Sequence, residues 1–571
     1  MRYLRMLTNS VLAGALGAGF VGVLILQLNQ HVPLSFALVP TLGHRLWLFY
    51  GTNLAVFFYA LIVVAQLLSR DGLSPGWLSL RLLAWSSTLV AATAAALMWL
   101  NLRGFARVLD EEPARRLAAG AAATSVCALL LLLIAVVHYS FGRRGSRVGG
   151  TLYALTVVAA IGLPLAARGA GGDVRASTAP GAVVPAVPDQ TGRIFMVLLD
   201  GASLDFISPV TAEGRLPHFA RLLEEGAAMH LSTIRPTQPG PVWAAALTGV
   251  YPPRSGIRAA ERYRFGAGAQ EITLLPDLCL AHALVTLDIL EAVPQDATAF
   301  RARPLWRVLS EIGVSVGVTG VPLTHPAPPV AGYLLSDRLH LLPRATMPYR
   351  EPDLVYPPDV LASLPDAAFE WPIAAIRQSP GVGPLPRDVF YRRLAASLDD
   401  RIGPRVRMIR YEGIDVAGHH YLRYARPDAF GDVSPEERLR LGQVLEQQYG
   451  LVDAELGQVM ASLTEDDLLL VVSGFGMEPQ SPGKRLLARV LGEAELSGTH
   501  ERAPDGFLLA WGRGVAAGRW PVGAIVDVTP TLLYYLGLPV ARDMDGFART
   551  DIFTEAFTAD RPVSYIPTYG S

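Results

Sequence analysis

Asp415 and His419 stand four residues apart in YEGIDVAGHHY (411–421), and His500 follows in SGTHERAPDGF (497–507). An i, i+4 spacing puts both side chains on one face of a helix. A carboxylate and two imidazoles form an oxygen–nitrogen set suited to zinc or a similar divalent ion, with a fourth position left open. The same Asp-x-x-x-His spacing also suits a surface or capping pair, so spacing alone leaves both readings standing. Asp200 ends the apolar run IFMVLLDG (194–201). Open α/β sheets bind ligands in the crevice at the carboxyl ends of their strands, which is where Asp200 falls.

The elements that position these residues follow from the pattern of apolar runs. Strand-like runs occur at 194–199, 315–319, 406–411, 467–472, 507–511 and 523–526, with helical patterns at 216–225, 304–312 and 438–462. Continuously apolar strands suit a sheet buried on both faces, and their alternation with helices predicts a doubly wound, largely parallel α/β sheet. The proline-rich stretch 260–400 reads as an insertion or cap over the strand ends. There is no internal repeat and no glycine-rich loop of the P-loop type.

Taken in order, IFMVLLDG, GRLPHFARLLEEG (214–226), PTQPGPVW (236–243), YEGIDVAGHHY, VVSGFGM (471–477) and SGTHERAPDGF resemble the type I phosphodiesterase/nucleotide pyrophosphatase branch of the alkaline phosphatase superfamily. The resemblance extends through RARPLWRVLSEIGVSVGVTGVPLTHPAPP (301–329) and IVDVTPTLLYYLGLPVARDMDG (525–546), and so covers nearly all of 193–550. It implies an alkaline-phosphatase-like fold and a two-metal site. It further implies that Asp415, His419 and His500 ligate one ion, with His420 pointing elsewhere, and that Asp200 belongs to the second.

Several positions that carry chemistry in that family are altered. The nucleophilic Ser or Thr falls four residues before Trp243, where this chain has Pro239, which offers no side-chain oxygen and no N–H. Thr237 lies two residues away and Ser232 further still. An Asp–His pair of the second ion is replaced by Gly474 and Phe475, neither of which ligates a divalent cation. A His-Gly-Ile becomes Ser255-Gly256-Ile257. Losing one ion and the nucleophile removes the clamp on attacking and leaving oxygens, and a rate loss on the order of 10⁴-fold follows.

Mean hydropathy over the 571 residues is +0.32, high for a chain without membrane segments. The excess is concentrated in residues 1–168, where apolar runs near 7–27, 47–68, 82–102, 117–138 and 149–167 approach the ~20 residues that cross a bilayer. The last is short and carries Gly162 and Pro164. Arg2, Arg5, Arg70, Arg81, Arg143, Arg144 and Arg147 on one side outnumber Arg45, Arg103, Arg107, Arg115 and Arg116 on the other. The positive-inside rule then places the amino terminus in the cytoplasm, and an odd number of spans puts the large domain outside it, on a bacterial-type inner or plasma membrane. Residues 169–192, rich in Gly, Ala and Pro, read as a linker, and 193–571 as the α/β domain.

A formal net charge of −1 argues against nucleic acid as partner. Cys127 in a span and Cys279 in the large domain are too separated in this topology for a disulfide. Arg301, Arg303 and Arg307 suit a solvated helix face more than an anion site, His325 a structural role, and Trp243 the core. Two functions remain in view. One is a catalytically degenerate relative, holding one zinc or manganese ion and binding a phosphoester, lipid head group or partner. The other is a hydrolase or transferase using one ion and water at the membrane surface.

Overall fold

The structure, a computed structural model, describes all residues except 36–37, 69–74, 141–146, 172–191, 265–270, 342–352, 365–368, 370–384, 492–494 and 571. Arg70, Arg143, Arg144, most of the expected linker and part of the expected cap lie outside the described residues. The chain forms two compact units: Met1–Ala176 with Glu261–Pro294, and Ser177–Ala260 with Gln295–Ser571.

Among the described residues, the first unit holds five helices long and apolar enough to cross a membrane: Arg2–Leu28, Leu38–Leu68, Leu80–Gly104, Glu111–Val137 and Val148–Arg168. They fit a membrane-anchored protein. Small residues let them pack closely: a Cβ at Gly14 would lie 2.3 Å from the Gly51 carbonyl oxygen, and one at Gly120 2.6 Å from Gln27 Nε2. Pro164 lies inside the last helix, and its carbonyl accepts from Gln27 Nε2 at 2.5 Å. Arg168, fully buried, donates from Nε to Leu26 O at 2.6 Å and from Nη2 to Asn29 O at 3.0 Å. It thereby satisfies carbonyls left open at the end of the first helix.

Among the described residues, the second unit is built on a ten-stranded sheet with Ile194–Leu199 at its centre. Five adjacent strands run parallel, in the order Leu468–Phe475, Ile194–Leu199, Val406–Tyr411, Val316–Thr319 and Gly332–Leu335. Asp505–Gly512, antiparallel to Leu468–Phe475, and Ala227–Ser232, antiparallel to Asp505–Gly512, extend one side, and Val355–Tyr356 closes the other. The central strand is buried along its whole length, as its unbroken apolar sequence requires.

Two expectations need correction. Stretch 260–400 is not a single cap: Glu261–Pro294 belongs to the helical unit, and Val316–Thr319, Gly332–Leu335 and Val355–Tyr356 are strands of the central sheet. The pattern over 438–462 is two helices, Pro435–Leu441 and Val444–Ser462. They part at Gly442, where a Cβ would come within 2.5 Å of the Arg438 carbonyl oxygen.

Candidate metal centre

Three chain segments meet at the carboxyl ends of the parallel strands. Strand Val406–Tyr411 runs through Glu412 into helix Gly413–Ala425, which carries Asp415 in its first turn and His419 one turn on. Asp388, in the first turn of helix Pro386–Ile402, fixes the entry by accepting from the backbone N–H groups of Glu412 and Gly413, the latter at 2.9 Å. Burial, then the charge of Glu412, pushes the Asp388 carboxyl up to about 7. The loop bearing His500 is laced to the same helix. His419 O accepts from Ser497 N at 2.7 Å, and His419 Nδ1 pairs with Gly498 O at 3.0 Å. Only glycine fits at 498, since a Cβ there would lie 2.3 Å from the Gly418 carbonyl oxygen.

Asp415, His419 and His500 each offer one ligand atom within 4.8 Å of the others. His419 Nε2 lies 3.5 Å from Asp415 Oδ2, and the two imidazole centroids are 5.2 Å apart. His500 Nδ1 pairs with the Thr237 carbonyl at 3.0 Å. With both Nδ1 atoms on carbonyls, each ring carries its proton there and leaves Nε2 as the lone-pair nitrogen, a common arrangement of metal-ligating histidines. Asp415 Oδ1 is buried and has no hydrogen-bond partner among the described residues. An orphaned carboxylate oxygen beside two such nitrogens fits a divalent cation. His420, the neighbour of His419, is not in this group.

The charges agree with that fit. Burial works to raise the Asp415 carboxyl, but the His419 hydrogen bond and charge, then His500, hold it below the ordinary aspartate value. Burial works to lower His419, yet Asp415 raises it above the ordinary histidine value. Burial lowers His500, with Asp415 only partly offsetting it. Without an ion, the raised His419 contributes stability that is complete below about pH 6.5 and lost as pH rises through its folded value. Ion binding must expel that proton. We therefore expect affinity for manganese or zinc to rise about tenfold per pH unit from pH 6.5 until His419 is neutral. Calorimetric titration of the full chain at pH 6.5, 7 and 7.5 checks this, and a flat profile contradicts it.

Asp200 lies beside this cluster but does not join it. Its carboxylate is 1% exposed, and both oxygens are engaged. Trp243 Nε1 donates to Oδ1 at 2.6 Å, while Arg410 donates to Oδ2 from Nε at 3.1 Å and also from Nη2. Arg410 Nη2 also pairs with Glu412, which Arg387 holds from its other side. Burial works against the Arg410 charge, but Asp200 and Glu412 outweigh it and raise its pKa above the usual guanidinium value. Gly201 then turns the chain at φ +71°, and a Cβ there would sit 2.8 Å from the Asp415 Cα.

Of the other expected site positions, Thr237 meets the cluster through its carbonyl on His500 and Phe475 through its ring. Pro239 opens helix Pro239–Thr248, and Thr237 turns its hydroxyl to the Ile234 carbonyl at 2.9 Å. Ser232 ends the strand Ala227–Ser232. Ser255 is buried, its Oγ accepting from Ile257 N. Phe475 is fully buried with its ring 4.9 Å from that of His500, and a Cβ at Gly474 would meet Val242 Cγ1 at 2.5 Å. Arg303 and Arg307 both pair with Glu311, and His325 Nδ1 pairs with Asp353 O at 3.0 Å. Sequence reasoning missed Arg410, Trp243 and Asp388 as parts of the site. The available signal was Arg410 itself, a charge on the strand face it shares with the buried Val406 and Met408.

Fold and site define the class: an α/β protein with a carboxylate–imidazole cluster at its strand ends, in a chain that also carries five apolar spans. Residues 194–520 match the type I phosphodiesterase / nucleotide pyrophosphatase family, and the chain belongs to that metal-dependent family. No curated protein matches it.

Proposed function

We propose that this protein holds one divalent ion, zinc or manganese, on Asp415, His419 and His500, and binds a phosphoester or phosphorylated head group at the membrane surface without forming a phosphoenzyme. The observation that carries this reading is the guanidinium of Arg410 on Asp200. The family's second cation site has an internal cation of its own, held by covalent structure. An ion so held supplies Lewis-acid polarisation of a phosphoester oxygen. The chain's own groups orient that ion, while Pro239 and the inward-turned Thr237 present no nucleophilic hydroxyl at the helix start. On this account the α/β unit lies outside the cytoplasm, and Gly474 and Phe475 mark a lost ion position.

One feature favours a second reading, a hydrolase working with one ion and water: the ligand set has three members, as catalytic sites with an open position do. Bis(p-nitrophenyl) phosphate separates the two. Metal-dependent binding by the full chain without release of nitrophenol supports the first. Turnover that disappears in His419→Ala establishes the second.

A related expectation concerns repair. The triple variant Pro239→Ser, Gly474→Asp, Phe475→His should gain no diesterase activity over wild type. Arg410 still occupies Asp200, and a side chain at 474 runs into Val242. Turnover of the same substrate above the wild-type level contradicts this.

A further inference from the structure

Segment Glu261–Pro294 packs among the apolar helices of the first unit. It leaves the α/β unit at Ala260 and returns at Gln295, whose N–H donates to Ala260 O at 2.9 Å. Strand Glu261–Arg264 pairs with Glu271–Ile272 and with Glu291–Pro294, forming a ribbon. Beyond the ribbon the sequence becomes LCLAHALVTLDIL (278–290), without a lysine or arginine.

Three of the spanning helices hold this tip through its backbone. Asn29, the cap of the first helix, accepts from Thr273 N and Leu274 N at 2.8 and 2.9 Å and donates to Leu274 O at 2.8 Å. Asn101, in the last turn of Leu80–Gly104, accepts from Asp277 N at 2.8 Å and donates to Asp277 O at 3.2 Å. Tyr50 donates to Cys279 O at 2.8 Å. Ile272, Leu275, Ala281, Leu284 and Leu290 are buried in one cluster with Ile25, Leu26, Leu42 and Leu46.

The depth of the tip follows from these anchors. Asn29 and Asn101 stand at span ends. Leu38–Leu68 has 31 residues, about 46 Å of helix at ~1.5 Å per residue, whereas the hydrocarbon core is ~30 Å thick. Its last ~20 residues suffice to cross, which puts Tyr50 near the hydrocarbon boundary. Leu278, Leu280 and Leu287 are 51%, 53% and 49% exposed there. Leu278 and Leu280 adopt φ of +66° and +60°, a conformation that side chains of this kind rarely take. His282 and Asp288 are also exposed, which suits the head-group layer rather than the bilayer centre.

We infer that residues 278–287 form a monotopic element that seats Leu278, Leu280 and Leu287 in lipid at the boundary between head groups and acyl chains. The segment adds to the membrane attachment made by the five spans, and the inference does not depend on what the metal centre does. Cys279, expected in an aqueous domain, is part of this element.

Spin labels test it in the full chain reconstituted into phosphatidylcholine–phosphatidylglycerol vesicles. Leu278→Cys, Leu280→Cys and Leu287→Cys are made in a Cys127→Ser, Cys279→Ser background. Leu61→Cys in a span and Val522→Cys in the α/β unit serve as references; both native residues are at least 49% exposed. Labels at 278, 280 and 287 should be relaxed more by oxygen than by a water-soluble nickel chelate, as at 61. Values matching those at 522 overturn the proposal. A second measurement uses the unmodified chain and a phospholipid carrying a photoactivatable diazirine near its glycerol. Adducts within 275–290 are expected; adducts in Leu38–Leu68 with none in 275–290 overturn the proposal.

Discussion

Replacing Arg410 by methionine is expected to lower the stability of the protein by about 3–5 kcal/mol, the usual cost of leaving a buried charge without its partner. Asp200 is 1% and Arg410 7% exposed, so water cannot substitute for the lost guanidinium. Asp200 would keep only the Trp243 N–H, and Glu412 would keep only Arg387. The thermal midpoint of the detergent-solubilised full chain reads this directly. The control is the double variant Asp200→Asn, Arg410→Met, which removes both charges of the pair. It should be markedly more stable than Arg410→Met alone, because a neutral amide tolerates burial better than an unpaired carboxylate. Strictly additive losses would mean that the two side chains do not form the unit described.

The centre of the sheet was legible because Ile194–Leu199 and Leu468–Phe475 are buried along their whole length and read as apolar runs. Gly332–Leu335 and the edge strand Val355–Tyr356 were not, being short and set among prolines that suggest loop. Asp415, His419 and His500 were legible as a set only through the family resemblance. The i, i+4 spacing joins the first two, but nothing local brings in His500, which arrives because Gly498 lets its loop touch Gly418. Arg410 was hidden for a different reason. A charge in a strand declares that it needs a partner but does not name it, and here the partner lies on the neighbouring strand's end. Segment 261–294 was misassigned because its polar ribbon precedes its apolar tip, and a run of 13 residues is too short to signal a span.

The second large effect is expected at the ion itself. His419→Ala removes one of the three proposed ligands and leaves Asp415 Oδ2 without its imidazole neighbour at 3.5 Å. Loss of an outer-shell partner of a metal site weakens binding by roughly 10–100-fold, so loss of a ligand should exceed about 100-fold. The Gly498 carbonyl also loses its ring partner, but Ser497 N still holds the loop through the His419 backbone. The fold should therefore survive the substitution, and above the pH at which His419 loses its proton, where its charge no longer contributes stability, the thermal midpoint without metal should stay near that of the wild-type apoprotein. A midpoint that collapses in the absence of metal would instead mark His419 as a structural residue.

Metal content is the most direct test of a single-ion centre with an internal cation beside it. Elemental analysis of the purified full chain, after equilibration with zinc or manganese and removal of free ion, should give one equivalent, and His419→Ala should give none. Two equivalents in wild type would contradict the account by showing that Arg410 does not displace a second ion. No bound ion in wild type would contradict it more completely, leaving Asp415, His419 and His500 as a hydrogen-bonded remnant.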